Sequence, residues 1–143
     1  MADSAKRVIS GSFGELWMDG ELIAEINAFQ AKYTYNKEKI GFCGSIINDS
    51  KVTSIDGTGS MTLHKVFSRF SEQDDSILKG RDSRCTIIGK LDDPDAYGAE
   101  RVALYNVSFD DNTLMDFKHG TVGSITRPFT FTGHKWLDTI DPR

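Results

Sequence analysis

The sequence predicts a mainly β fold: a small antiparallel β-barrel or sandwich with one flanking α-helix. Two separate segments, 58–64 and 124–132, alternate apolar residues with Ser and Thr, the period-two pattern of a half-buried strand. Thirteen Gly, only three Pro and nine Phe suit strands joined by many turns. A single segment changes to helical period, with Phe67, Phe70, Asp74, Ile77 and Leu78 on one face. The chain of 143 residues is read as one domain, 1–143, long enough to hide about two-thirds of its unfolded surface.

After an N-terminal segment, 1–11, the run Phe13 to Met18, the pair Asp19-Gly20 and the run from Glu21 read as a β-hairpin, because Asp and Gly tolerate positive φ. The next strand places apolar residues at Leu22, Ala24, Ile26 and Ala28, then at Phe29, Ala31, Tyr33 and Tyr35. Its parity changes at Ala28-Phe29, as a β-bulge there would produce; two short strands are the alternative. As one strand, 22–35 spans about 46 Å at roughly 3.3 Å per residue. A domain of this size is about 35–40 Å across, so one edge projects past the body toward another subunit.

Residues 36–57 show no regular period and read as a long loop rich in turn formers (Asn36-Lys37, Gly41, Gly44, Asn48-Asp49-Ser50, Asp56-Gly57). Long structureless segments in small domains are functional or disordered. This one carries Ile40, Phe42, Ile46 and Ile47, which a solvated loop does not need. The expectation is an inter-subunit arm of Tyr35, Asn36, Lys37, Ile40, Phe42, Ile46 and Ile47, mobile in the free subunit and ordered against a neighbour. A strand over Thr58–Val66 follows, then a helix over Val66–Lys79 closed by Lys79 and Gly80. Strands are expected over Arg84–Leu91, Glu100–Phe109 and Thr121–Gly133, before a C-terminal tail, 134–143, holding Trp136, Leu137 and Ile140. The strand Glu100–Phe109 is apolar on both faces and should be central.

A net charge of −4 argues against a domain that grips nucleic acid over a broad face. No apolar run approaches the roughly 20 residues of a membrane span, and Met1 to Arg7 lead into no apolar core, so no secretory signal is expected. Synthesis in a reducing cytoplasm is expected to leave Cys43 and Cys85 as free thiols. His64, His119 and His134 lie on different elements without metal-ligand spacing. The cluster Asp92, Asp93, Asp95, Gly98 and Glu100 fails as a calcium loop because Tyr97 takes the fifth position; an acidic turn is expected instead. Gly57-Thr58-Gly59 lacks the Lys-Ser/Thr of a phosphate loop and reads as a kink or a close backbone approach at a strand start. No nucleophile elbow is present. Neither catalysis nor a cofactor nor a metal is expected. What remains is the pair of hydroxyl faces, either an ordinary solvated sheet surface or the lining of a polar, uncharged passage.

The ordered series Ile9-Ser10-Gly11, Gly14-Glu15-Leu16, Asp19-Gly20-Glu21, Phe29-x-Ala31, Asn36-Lys37, Gly57-Thr58-Gly59, Lys65-Val66-x-Ser68-x-Phe70, Lys79-Gly80, Leu91-Asp92-Asp93, Gly98-x-Glu100-Arg101-Val102-x-Leu104-Tyr105-x-Val107-x-Phe109-Asp110 and Pro128-Phe129-Thr130-Phe131 resembles the tail tube (core tail) proteins of contractile-tailed phages, PBSX-like prophages and R-type bacteriocins. The series runs over residues 9–131; residues 43–51 and the last ten lie outside it. The resemblance implies a fold similar to the type VI secretion tube protein, with six subunits in a ring and rings stacked into a hollow tube inside a contractile sheath. It implies as partners other copies of the chain, the tail sheath protein, the tape-measure and baseplate proteins, and double-stranded DNA in the lumen of a true phage. The place of action is a virion tail or tail-like particle assembled in the bacterial host cytoplasm. On this reading Ser60, Thr62, Thr126, Thr130 and Thr132 face the lumen. A carbohydrate- or ligand-binding β-sandwich, with Trp17, Trp136 and Tyr33 as stacking platforms, is the alternative from another class, and a small β-barrel enzyme has the least support.

Overall fold

Asp19 and Gly20 both adopt positive φ (51° and 84°), and the chain reverses there between β1 (Gly14–Met18) and β2 (Glu21–Leu22). This is the two-residue hairpin expected of Asp-Gly. The computed structural model describes residues 5–141; the first four residues of the expected segment 1–11 and the last two of the expected tail lie outside the described residues. After β2 come β3 (Ile26–Ile40), β4 (Asp49–His64), α1 (Ser71–Leu78), β5 (Cys85–Leu91), β6 (Glu100–Phe109), β7 (Ser124–Phe131) and β8 (Gly133–Asp138). The expected tail is thus a strand over most of its described length, because Gly133 to Asp138 pair with β6.

All pairings are antiparallel. One layer runs β2-β1-β5-β6-β8. The other runs β3-β4-β7 and joins the first through Ser108 and Phe109 at the end of β6. Leu16, Ile87, Leu104 and Val107 from one layer meet Met61, Leu63, Phe129 and Phe131 from the other in a single apolar cluster. The outer strands β2 and β3 do not pair with each other, so the layers form an open sandwich and not a closed barrel.

β6 is central, pairing with β5, β7 and β8. Its two-sided apolar pattern has a local cause. The register against β5 shifts between Cys85 and Ile87, and Asn106 sits at φ 59°. One extra residue swaps the faces, so Val107 and Phe109 join Val102 and Leu104 on the core side while Tyr105 is exposed. β3 uses the same device. Its register shifts between Ile26 and Ala28, which moves the core-facing set from Ile26 to Phe29, Ala31 and Tyr33. The bulge expected at Ala28-Phe29 lies about one residue earlier, and the strand begins at Ile26 because Ile23 is drawn into the core beneath a turn.

The largest correction concerns 36–57. This segment is not an irregular loop: Asn36 to Ile40 and Asp49 to Gly57 belong to paired strands, and only 41–48 lie outside them. The backbone groups that a loop would leave to water or a partner are satisfied by one another across the ladder. The segment therefore has a paired structure of its own within the single chain.

The helix is shorter than expected, starting at Ser71 instead of Val66. Of the apolar residues in its stripe, Phe70 alone is buried, and Phe67, Ile77 and Leu78 are exposed. The turn before α1 instead delivers Arg69 to Glu25, with Nη2 donating to Oε2 at 2.8 Å. That hydrogen bond holds the Glu25 carboxyl below the usual carboxylate range. A second buried pair fastens α1 itself. Arg127 on β7 is 2% exposed, its Nη2 lies 3.2 Å from Asp74 Oδ1, and its guanidinium lies 4.5 and 4.6 Å from the ring centres of Phe70 and Phe109. Gly80, at φ 84°, ends the helix as expected.

Breaking a buried pair from one side strands the other charge. Asp74→Ala is expected to destabilise the subunit by about 3–5 kcal/mol in urea unfolding, whereas Lys51→Ala, on the exposed arm, stays within about 0.5 kcal/mol of the parent.

Candidate functional site

The pairing of β3 with β4 runs from Ile26↔Leu63 to Ile40↔Asp49. β7 supports β4 only from Gly57 to His64. Past that point 34–40 and 49–56 pair, among the described residues, only with each other. At roughly 3.3 Å per residue this two-stranded ribbon reaches about 25 Å beyond the sheet, and every residue from Asp49 to Asp56 is exposed. Side chains brace it: Asn36 Nδ2 donates to Ser54 Oγ (3.0 Å) and Asp56 Oδ2 (2.8 Å), and Thr53 Oγ1 donates to the Asn36 carbonyl at 3.1 Å. Of the residues expected in an arm, Tyr35, Asn36, Lys37 and Ile40 lie on the ribbon and Phe42, Ile46 and Ile47 on its tip. Phe42 is 62% exposed, Ile47 79% and Ile46 fully.

The root of the ribbon carries the hydroxyl face. Cross-strand pairing sets Thr58 beside Thr130, Ser60 beside Pro128 and Thr62 beside Thr126, and the Thr62 and Thr126 hydroxyls are 3.2 Å apart. Met61, Leu63, Phe129 and Phe131 point the other way, into the core. Ser60, Thr62, Thr126 and Thr130 are thereby brought onto one outward face. Thr132 lies at the bend between β7 and β8, where its hydroxyl accepts from Asn106 Nδ2 at 3.0 Å. Thr58, Gln30 and Lys32 extend the same face through the pairs Gln30↔Ser60 and Lys32↔Thr58. Alternation along β3 was the signal that placed them there, masked by the bulge.

Gly57-Thr58-Gly59 is the expected close approach, in mid-strand instead of at a strand start. A Cβ on Gly59 would meet the Gln30 carbonyl and come within 2.6 Å of Phe129 Cζ, so glycine lets the fully buried Phe129 ring lie flat under β4. The acidic turn also has a structural task. Asp93 accepts from the Ser10 N–H (2.9 Å) and the Asp95 N–H (3.0 Å), which holds its carboxyl below the usual range and pins the N-terminal segment. The three candidate stacking residues do not form one platform: Trp17 on β1 is separated from Trp136 on β8 by β5 and β6, while Tyr33 and Trp136 each pack edge-on against His134, whose Nδ1 lies 2.7 Å from the Tyr33 hydroxyl.

Residues 1–138 match a family model described as phage tail tube protein. The chain is 40% identical over 112 residues to the phage-like element PBSX protein XkdM of Bacillus subtilis (strain 168), covering 77% of this chain and 76% of that one. Its fold is similar to a chain in the sheath/tube terminator of the PVC extracellular contractile injection system in the extended state (TM-score 0.77, 8% identity, 94% of this chain and 100% of that one). It is also similar to a chain in the sheath–tube complex of that system (TM-score 0.71, 10% identity, 94% and 95%). The family resemblance read from the residues is borne out, as is the mainly antiparallel β fold.

Cys43 sits exposed on the ribbon tip and Cys85 is buried, its thiol pushed up to about 12 by burial. Native protein is expected to take up one equivalent of a maleimide rapidly and the second only after denaturation, as counted by intact mass.

Proposed function

The chain belongs to the phage tail tube protein family, a family of structural proteins and not enzymes, and we propose from that premise that six copies close into a ring and that rings stack into the inner tube of a contractile tail. The observation that carries this reading is the ribbon: paired strands reaching about 25 Å past the sheet and ending in exposed Phe42, Ile46 and Ile47. Exposed apolar side chains on a projecting ribbon are a liability in a monomer and an interface in an assembly. Tyr35, Asn36, Lys37, Ile40, Phe42, Ile46 and Ile47 form the inter-subunit arm. Sheath protein surrounds the tube, baseplate and tape-measure proteins meet its end and interior, and assembly takes place in the bacterial host cytoplasm.

The hydroxyl face of Ser60, Thr62, Thr126, Thr130 and Thr132 lines the lumen. Within the supported part of the sheet Lys32 is the sole cation beside these hydroxyls. A phosphate backbone binds clustered Lys and Arg tightly, so a nearly neutral hydroxyl wall lets double-stranded DNA slip.

Purified protein at micromolar concentration is expected to show six-fold rings or stacked tubes in negative stain, with light scattering far above a monomer's. A monomer at every concentration would sink the assembly reading. The pair Thr62→Arg and Thr130→Arg should leave tubes intact while slowing or blocking genome passage in a DNA-carrying phage. Unimpaired passage through intact tubes would remove both residues from the lumen.

A further inference from the structure

A groove of about 610 Å³ opens at the seam where the sandwich fails to close, between the first half of β3 and the β1–β5–β6 layer. Its floor is apolar, built by Leu16, Phe29, Ala31, Leu91, Val102 and Trp136. The ribbon tip is the converse, a convex group of exposed apolar side chains at Phe42, Ile46 and Ile47. We propose that the groove is the receptor for the tip: the ribbon tip of one copy seats in the groove of the next. This rests on the reading of the ribbon as an inter-subunit arm and adds the surface that receives it.

Distance rules out a contact within one chain. Groove and tip lie at opposite ends of the same strand, and from Ala31 to Ile40 the paired backbone extends about 30 Å at roughly 3.3 Å per residue. The ladder is continuous over that length apart from the shift at Asn36/Lys37, so the tip cannot fold back. A convex surface at one end and a concave one at the other make a head-to-tail contact, which closes into rings or propagates as a stack.

Charge favours the same pairing at the far end of the ribbon. Residues 37–51 carry Lys37, Lys39 and Lys51 against Glu38 and Asp49, and Asp56 lies nearer the root. The groove rim carries Glu15 and Glu100 with one cation, Lys90, and Lys90 already lies 3.6 Å from Asp92. The edge of β3 that borders the groove, residues 26–31, holds no charge at all, while Lys32, Lys37, Glu38 and Lys39 lie along the rest of the strand. Edge lysines discourage strand addition, so the charge-free stretch is where another copy can approach.

The native thiol at Cys43 supplies the test. Ala28→Cys and Ala31→Cys place a second thiol on the groove wall, and Leu78→Cys places one on α1 as a control. Tubes of the full chain are oxidised and run on non-reducing gels. The expected result is a ladder of linked copies from either groove variant, with mass spectrometry joining residue 43 to residue 28 or 31, and none from the α1 variant. Tubes that form without any groove cross-link, or a ladder from Leu78→Cys alone, overturn the groove while leaving the tube reading intact. Failure of the parent chain to form rings or tubes sinks the tube reading itself. Hydrogen exchange on the unmodified protein stands independently of the variants. Residues 26–31 should gain protection together with 41–48 on assembly, and protection of 41–48 with unchanged exchange at 26–31 overturns the proposal.

Discussion

The structure hinges on a mismatch: the β3–β4 ladder outlasts the core beneath it. Backbone hydrogen bonding is settled between two strands and needs no third layer, so pairing continues from Gly57 outward to Asp49 after β7 has stopped. Side chains on that extension have nothing to bury against. An isolated hairpin is only marginally stable in water, but this one is an extension of a rooted ladder and inherits its register from the eight residue pairs of β4 with β7. The result is a projecting two-stranded ribbon with an apolar end.

The root of the ribbon is held in two ways. Glycines at 57 and 59 let Phe129 and Phe131 press flat against β4, where a Cβ would collide with Phe131 and Phe129 themselves. Two buried arginines then tie the loose ends of the sandwich. Arg69 reaches Glu25 at the turn into β3, and Arg127 reaches Asp74 on α1. Buried ion pairs contribute little net stability, because desolvation offsets most of the attraction, yet they penalise any arrangement that separates the partners. Here that penalty fixes where β3 begins and where the single α-helix of the described residues lies. Arg127 meets it with incomplete hydrogen bonding, since its Nε has no acceptor; the rings of Phe70 and Phe109 on the guanidinium make up part of the difference.

Hydrophobic period reports burial, not pairing, and that distinction separates what was legible from what was not. Ser60 and Thr62 alternate with Met61 and Leu63 because one face of β4 is buried there, and both strand and face could be read. Lys37, Glu38 and Lys39 sit in an equally well-paired strand with neither face buried, so no period exists and the segment resembles a loop. The parity swap in β3 was visible because apolar residues flank it on both sides. In β6 the same kind of swap makes the strand read as apolar on both faces, and Ala103, 2% exposed on the face opposite Leu104, adds to that reading. Arg127 stands in step with Ile125, Phe129 and Phe131, so its core orientation was written in the alternation; its charge hid it, because nothing local shows that Asp74 waits more than fifty residues away.

Edge strands explain why such a fold tolerates being left open. Closing the sandwich into a barrel would satisfy the free edge of β3 internally and leave no groove. Leaving it open exposes backbone donors and acceptors along a strand of 15 residues, which invites indiscriminate addition. The sequence answers with Lys32, Lys37, Glu38 and Lys39, and its longest uncharged run is 26–31. On the proposed docking, a partner approaches at the uncharged end of the strand and meets the lysines farther along it. Specificity of this kind costs little in the folded monomer, because the charges stay solvated, and it acts only when a second chain approaches in the wrong register. An open seam, a charged edge and a projecting apolar tip are each unfavourable alone, and copies placed head to tail can relieve all three in a single contact.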